Sequence, residues 1–324
     1  MAALARMVER PTIHGEIRLK EPMAKHVSWR AGGSVDRAYF PVDLEDIRAF
    51  LSTVPPEEPV YFVGLGSNLL VRDGGLRGTV VFTHWALRDI ALGAASATEG
   101  ELIVAAGIAA PKVARFAALN DLVGAEFLAG IPGTIGGALA MNAGCYGGET
   151  WDVVRQVTTM DHSGATHERA PSQYRLGYRS VARRCQQIAA VPAVSPVQRR
   201  TRLDEWFVST VVGLKRGDGA ESRAKVKELL ARRIASQPLG EPNAGSVFRN
   251  PPDAYAARLI EACGLKGRAI GGALISPKHA NFIVNTGHAT AADIEALIDL
   301  VQSAVRQKFQ IELEREVRIV GEPA

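Results

Sequence analysis

Apolar positions change period several times along the chain, and each change predicts an element. The first 40 residues are polar and mixed. Leu44, Ile47, Phe50 and Leu51 then recur at helical spacing. A short apolar run, Val60 to Val63, predicts a strand that leads straight into Gly64-Leu65-Gly66-Ser67-Asn68, and Leu69-Leu70-Val71 resumes it. Further strands are predicted over 79–83, 101–106 and 154–160, with a helix near 112–119 between them. A strand over 206–214 is followed by a stretch, 215–219, that reads as a linker. Beyond it, Val226, Leu229, Leu230 and Ile234 share one helical face. A helix over 253–263 stops at Gly264, a natural C-cap. A strand over 281–284 comes next. Thr290 and Asp293 then form a capping pattern ahead of Ile294, Leu297, Ile298, Val301, Val305 and Phe309. A last strand covers 317–320. The mixture implies an α+β or α/β fold.

Composition narrows the class of protein. The 324 residues are 47% hydrophobic and 22% charged, which supports real cores and excludes a disordered chain. The length suggests two domains or three small ones. A net charge of +4 suits anionic small molecules and is too weak and too dispersed for nucleic acid. No 18-residue apolar run predicts a membrane span, and the N-terminal segment lacks the apolar stretch of a signal peptide. Cys145, Cys185 and Cys263 include no CxxC pair and read as reduced thiols, which points to a cytoplasmic protein. No metal site is predicted.

Glycine is unusually dense over 124–148. Such density means close backbone approach to something or many turns with positive φ. The loop from Gly64 to Asn68 offers backbone N–H groups that can reach a diphosphate, with Ser67 and Asn68 as further donors. It lacks the G-x-G-x-x-G spacing of a dinucleotide-binding βαβ unit, and the chain contains no G-x-x-x-x-G-K-[ST]. A tight β-turn remains the alternative for this loop alone. A second donor-rich loop, Gly130-Ile131-Pro132-Gly133-Thr134-Ile135-Gly136-Gly137, is followed closely by Asn142 and Gly144. Together the loops suggest one extended dinucleotide held between two small subdomains.

These two segments, VGLGSNLLV (63–71) and GIPGTIGGALAMNAGCYGGE (130–149), resemble the FAD-binding domain of the vanillyl-alcohol-oxidase/PCMH flavoproteins. More narrowly, the chain resembles the UDP-N-acetylenolpyruvoylglucosamine reductase family over about 20–321. Tyr178-Arg179-Ser180, the segment from Asn243 to Pro251 and the segment from Leu313 to Arg318 also carry the likeness. The resemblance implies an α+β fold with a two-subdomain FAD-binding domain over 1–214, split near 85. It also implies a smaller α+β substrate-binding domain over 215–310 and a C-terminal strand, 311–324, that returns toward the flavin. The cofactor contacts would be Gly64, Gly66, Ser67, Asn68, Gly130, Pro132, Gly133, Thr134, Gly136, Gly137, Asn142 and Gly144. Arg179, Ser246 and Glu316 would be catalytic, and Tyr178, Arg249 and Asn250 would touch the substrate. The implied activity is NADPH-dependent reduction of UDP-N-acetylglucosamine enolpyruvate by a monomer, in peptidoglycan synthesis. Absence of an extra tyrosine loop points to the family's shorter, type II subclass.

The implied substrate is an enol ether bearing a carboxylate, so hydride addition to the vinyl carbon builds negative charge on the neighbouring carbon. Arg179 offers a planar, permanently cationic fork for that charge. Glu316 would polarise the carboxylate or orient Arg179, and Ser246 would deliver the proton. Two other readings stay open: a different flavin oxidoreductase on the same fold, and a non-catalytic nucleotide-binding protein. The arginine-containing stretch 181–204, with Arg183, Arg184, Arg199, Arg200 and Arg202, reads as a surface excursion or a lid.

Overall fold

A computed structural model describes residues 12–184 and 205–324, and the fold is α+β. Cys185, Arg199, Arg200 and Arg202 lie outside the described residues. The first of the three larger sheets among the described residues orders its strands Glu16–Pro22, Ser34–Phe40, Leu76–Phe82 and Val60–Val63. The first pair is antiparallel and the other two are parallel. Two of these strands arise where the sequence pattern predicted none. Glu16–Pro22 is an edge strand exposed for most of its length, so no alternation of apolar and polar positions marks it. Helix Leu44–Leu51 starts where Asp43 accepts the Asp46 N–H at 2.8 Å. It buries Ile47, Phe50 and Leu51 in a cluster that also holds Tyr39 and Val81 from the first sheet, Met160 and Val208 from the second, and Ala106 just past the end of a second-sheet strand. That shared cluster fastens the two sheets together.

The second sheet has six strands. Five run in the order Thr166–Arg169, Val154–Asp161, Glu205–Arg216, Glu99–Ala105 and Ile90–Ala95, and Leu122–Val123 pairs with the end of the long central strand. Its core is covered by helices Ala110–Leu119 and Ile135–Met141. The expected linker at 215–219 is shorter than its composition suggests. Lys215 and Arg216 stay in the strand through pairing with Val123 and Leu122. Asp218 then caps helix Gly219–Ser236 by accepting the Ala220 N–H at 2.6 Å. That helix packs Val226 and Leu230 onto the core of the second sheet, although it follows the 214/215 boundary drawn from sequence.

The third sheet is small and antiparallel: Ala269–Ile270, Ala273–Ile275 and Ile283–Asn285. Helices Ala256–Ala262 and Ala291–Phe309 pack on it. The shorter helix begins three residues later than expected, because Pro251 and Pro252 precede Asp253, which sits at φ 58°. The longer one begins at a reciprocal cap in which Thr290 and Asp293 each accept the other's backbone N–H at 3.0 Å. The core beneath it takes in Trp29, Ala31 and Leu70 from the N-terminal part of the chain. The Trp29 indole donates to the Ile283 carbonyl at 2.8 Å, and the Asn285 amide donates to the Trp29 carbonyl at 2.8 Å. The chain then returns: Arg318–Val320 pairs in parallel with Leu69–Val71. Residues far apart in sequence thereby line one crevice.

Candidate active site

The two glycine loops meet in this crevice. A Cβ placed on Gly64 would collide with the Thr134 hydroxyl, and one on Gly133 would lie 3.0 Å from Ser67 Oγ. Gly66 sits at φ 58°, and any side chain there would run into the His26 carbonyl. Between the loops lies a cavity of about 330 Å³. Its wall continues into a second cavity of about 600 Å³ through Gly64, Leu69, Thr134, Gly137 and Arg318, which line both. Each volume is on the scale of small-molecule sites, roughly 300–1,000 Å³. The second cavity is bordered by Phe62 and Trp206, stacked at 4.5 Å between centroids and 4° between planes.

Arg179 reaches the first cavity from a hairpin, Tyr174–Gly177 paired with Ser180–Arg183. It occupies the turn at φ 52°, a left-handed conformation that non-glycine residues adopt rarely. Two groups hold the turn there. The Asn142 amide donates to the Gly177 carbonyl at 3.3 Å, and Arg249 Nη2 donates to the Arg179 carbonyl at 3.1 Å. At the other end of the hairpin, Arg184 Nε donates to the Tyr174 carbonyl at 3.1 Å.

Each guanidinium nitrogen of Arg179 has a partner. Nε donates to Glu316 Oε1 at 2.6 Å, Nη2 to the Gly144 carbonyl at 3.0 Å and Nη1 to the Asn142 carbonyl at 3.4 Å. A guanidinium has five N–H groups, so two remain for a ligand. The Arg179 and Glu316 side chains are both largely buried, at 15% exposure.

Glu316 is set by backbone pairing. Its N–H donates to the Val247 carbonyl at 2.8 Å, and its carbonyl accepts the Asn68 amide at 3.1 Å. Phe248 and Arg315 form an isolated antiparallel bridge. The segment that carries Ser246 therefore lies alongside the segment that carries Glu316. Ser246 follows Gly245, at φ 76°, and lines the cavity without a protein partner for its hydroxyl among the described residues.

Comparison with known proteins identifies the family. Residues 35–169 match a family model described as an FAD binding domain. Residues 237–320 match the model of the UDP-N-acetylenolpyruvoylglucosamine reductase C-terminal domain. The chain is 54% identical over 317 residues to the UDP-N-acetylenolpyruvoylglucosamine reductase of Nitrosospira multiformis, covering 96% of this chain and 90% of that protein. It is 53% identical over 321 residues to the enzyme of the same name from Thiobacillus denitrificans, covering 96% and 94%. The chain belongs to the UDP-N-acetylenolpyruvoylglucosamine reductase family. The crystal structure of the family's Thermus caldophilus member superposes with a TM-score of 0.71 at 28% identity, covering 95% of this chain and 99% of that one. The chain is thus an FAD-dependent oxidoreductase.

The residues present fit that cofactor. Gly64, Gly66, Ser67, Asn68, Gly130, Pro132, Gly133, Thr134, Gly137 and Gly144 all line the first cavity with Arg179, Ser246 and Glu316. Gly136 faces the second cavity instead. Asn142, also expected at the cofactor, lines neither and is 2% exposed. Its amide donates to Glu149 Oε2 at 2.7 Å and its side-chain oxygen accepts the Trp151 N–H at 3.2 Å. Sequence reasoning read a donor beside a glycine loop; the fold uses it as a brace for the hairpin.

The expected substrate contacts also differ. Arg249 and Asn250 follow a segment that forms only the single bridge at Phe248. Arg249 braces Arg179, and Asn250 Oδ1 accepts the Ala256 N–H at 3.0 Å. Tyr178 is 46% exposed, with its ring 5.1 Å below the Arg179 guanidinium. Burial, and then the Glu316 carboxylate, push its hydroxyl pKa up. The cavity wall also contains Cys145, Arg233, Gln237, Phe282 and Arg318, none of which the sequence reading had nominated for the site. Only Arg318 carried a signal, its spacing of two from Glu316. Burial pushes the Cys145 thiol up, so it is a poor nucleophile. Cys145 and Cys263 are free thiols. Among the described residues no cluster of His, Cys, Asp and Glu could hold a metal ion, and no helix is long and apolar enough to cross a membrane.

Proposed function

We propose that this chain reduces UDP-N-acetylglucosamine enolpyruvate to UDP-N-acetylmuramate with NADPH, a step of peptidoglycan synthesis. One observation carries the reading: Arg179, Glu316 and Ser246 lie on the wall of the same cavity as both glycine loops. When bound, FAD would supply the hydride-transfer chemistry that links NADPH to the substrate's vinyl carbon.

The protein's own groups do the rest. Arg179 holds the enolpyruvyl carboxylate with its two remaining N–H groups. Those donors are aimed in advance, because Glu316, Gly144 and Asn142 hold the guanidinium. With Nε of Arg179 at 2.6 Å, Glu316 is placed to orient the arginine. This favours the orienting role over direct polarisation of the substrate. The Ser246 hydroxyl donates its proton to the carbon beside the carboxylate as charge builds there, and solvent replenishes it through the open side of the cavity. Gly245 keeps the approach clear, since a Cβ there would meet nothing within 4 Å.

Anaerobic spectroscopy tests the reading. The purified protein should be yellow, bleach with NADPH and regain its oxidised band when UDP-N-acetylglucosamine enolpyruvate is added. A band that stays bleached after that addition overturns the substrate assignment.

A further inference from the structure

Ser246 and Glu316 ride on one piece of paired backbone. The Glu316 N–H donates to the Val247 carbonyl at 2.8 Å, and the Arg249 N–H donates to the Glu314 carbonyl at 2.9 Å. Asn281, 4% exposed, ties this ribbon to the segment that leads into strand Ile283–Asn285 of the third sheet. Its side-chain oxygen accepts the Phe248 N–H at 3.0 Å, and its amide donates to the Phe248 carbonyl at 2.8 Å. Arg179 comes from elsewhere. Its hairpin buries Tyr174 and Val181 in the core of the second sheet. The serine and the arginine fork therefore belong to different cores, and their relative placement depends on what crosses between them.

Two links from the ribbon reach Arg179, one at each end of the residue. Glu316 accepts from the guanidinium Nε at 2.6 Å, and Arg249 Nη2 donates to the backbone carbonyl at 3.1 Å. The first link alone leaves the side chain free to pivot, because several rotatable bonds separate the guanidinium from its Cα. The second holds the Cα end, at a turn whose φ of 52° is costly for a non-glycine residue. Next along the ribbon, the Asn250 N–H is directed at the Tyr178 hydroxyl. Arg249 is itself held, with Nη1 3.3 Å from Glu314 Oε2. Its Nε is buried with no partner among the described residues. An apolar side chain would fill that space without burying an unsatisfied N–H, so the guanidinium is there for what its outer nitrogens reach.

We propose that Arg249 is a positioning residue for the reduction, one that fixes the fork of Arg179 in register with the hydroxyl of Ser246. It touches no reacting atom and acts through Arg179. The proposal rests on the activity proposed above. Reduction of the flavin by NADPH needs neither Arg179 nor Ser246, so Arg249 matters only when the enolpyruvyl substrate takes the hydride.

Stopped-flow spectroscopy of the full-length holoenzyme reads the two half-reactions apart. Arg249→Gln should bleach with NADPH at the wild-type rate. Its reoxidation by UDP-N-acetylglucosamine enolpyruvate should slow about 10- to 100-fold, the scale of a catalytic group misplaced by about 1 Å. Arg249→Lys can still donate to the Arg179 carbonyl and should recover part of the loss. Glu314→Gln should cost only about two- to threefold, because Glu314 is exposed. In an Arg179→Lys background, Arg249→Gln should add little, since a residue that acts through Arg179 then has nothing left to position. Unchanged reoxidation in Arg249→Gln overturns the proposal. So does equal slowing of both half-reactions, which would mean a disturbed fold, and so do fully additive losses in the double variant. A wild-type flavin that stays bleached with the substrate overturns the activity reading, and the proposal with it.

Discussion

Asn142 is the most informative position to perturb, because its side chain is argued to brace a catalytic turn rather than to meet a ligand. It sits at the end of helix Ile135–Met141 at φ 42°, 2% exposed. Asn142→Ala removes a hydrogen bond to the Glu149 carboxylate and two weaker bonds, to the Gly177 carbonyl and the Trp151 N–H. A bond to a charged group is worth roughly 1.5–3 kcal/mol, and each neutral one about 1 kcal/mol or less at these lengths. Alanine at positive φ adds about 1 kcal/mol. The expected loss is about 4 kcal/mol, a large part of a typical stability of roughly 5–15 kcal/mol.

Asn142→Gly loses the same bonds without the conformational strain, so it should be about 1 kcal/mol more stable than Asn142→Ala. Asn142→Asp keeps the shape but sets a second carboxylate against Glu149. That repulsion raises a carboxyl pKa in the folded state, so this variant should gain stability as pH falls from 7. Urea denaturation followed by circular dichroism measures all three. An Asn142→Ala midpoint equal to wild type would refute the brace, and equal midpoints for the alanine and glycine variants would remove the strain from the account. In FAD-loaded Asn142→Gly, NADPH should still bleach the flavin while product formation slows, because the turn that aims Arg179 is loosened.

Other expectations follow from the same geometry. Arg179→Lys offers one ammonium in place of a fork with three anchored nitrogens, so reoxidation of reduced flavin by substrate should slow about 10²- to 10³-fold; near-normal single-turnover reoxidation counts against the role given to Arg179. Ser246→Ala should keep NADPH-driven bleaching and lose about 10²- to 10⁴-fold in muramate formation, read by product analysis; normal turnover ends its acid role. Burial alone would raise the pKa of Asp161, but hydrogen bonds from Ser163, His167 and the Ala165 backbone outweigh it and hold the carboxyl at about 2. Its contribution is therefore present above about pH 4 and lost as pH falls through about 2. Asp161→Asn should be less stable than wild type at pH 7, and thermal melts should converge as the solution is acidified toward pH 2; a gap that stays constant with pH refutes the assignment.

Local pattern was enough to find the long helices, because an amphipathic stripe and a capping pair are written within a few residues. Thr290 and Asp293 ahead of Ile294 are read without any knowledge of the fold. The glycine loops were legible for a similar reason: backbone close to a ligand admits no side chain, and that exclusion leaves a mark on the sequence. The edge strand Glu16–Pro22 was not legible, since a strand solvated on both faces has no period to show. Nor was the true place of helix Gly219–Ser236, because an apolar face does not say which core it joins.

The site divides along the same line. Sequence nominated Arg179, Ser246 and Glu316 through a family likeness, and the fold brings them to one wall by a hairpin turn, a single backbone bridge and a returning parallel strand. The roles of Asn142, Arg249 and Asn250 could be decided only in three dimensions, because a polar side chain near a glycine loop serves a ligand or the backbone according to which partner it reaches. Arg318 is the converse case. Its charge is visible in the sequence, but its place on the cavity wall beside Met141 is decided by everything folded around it.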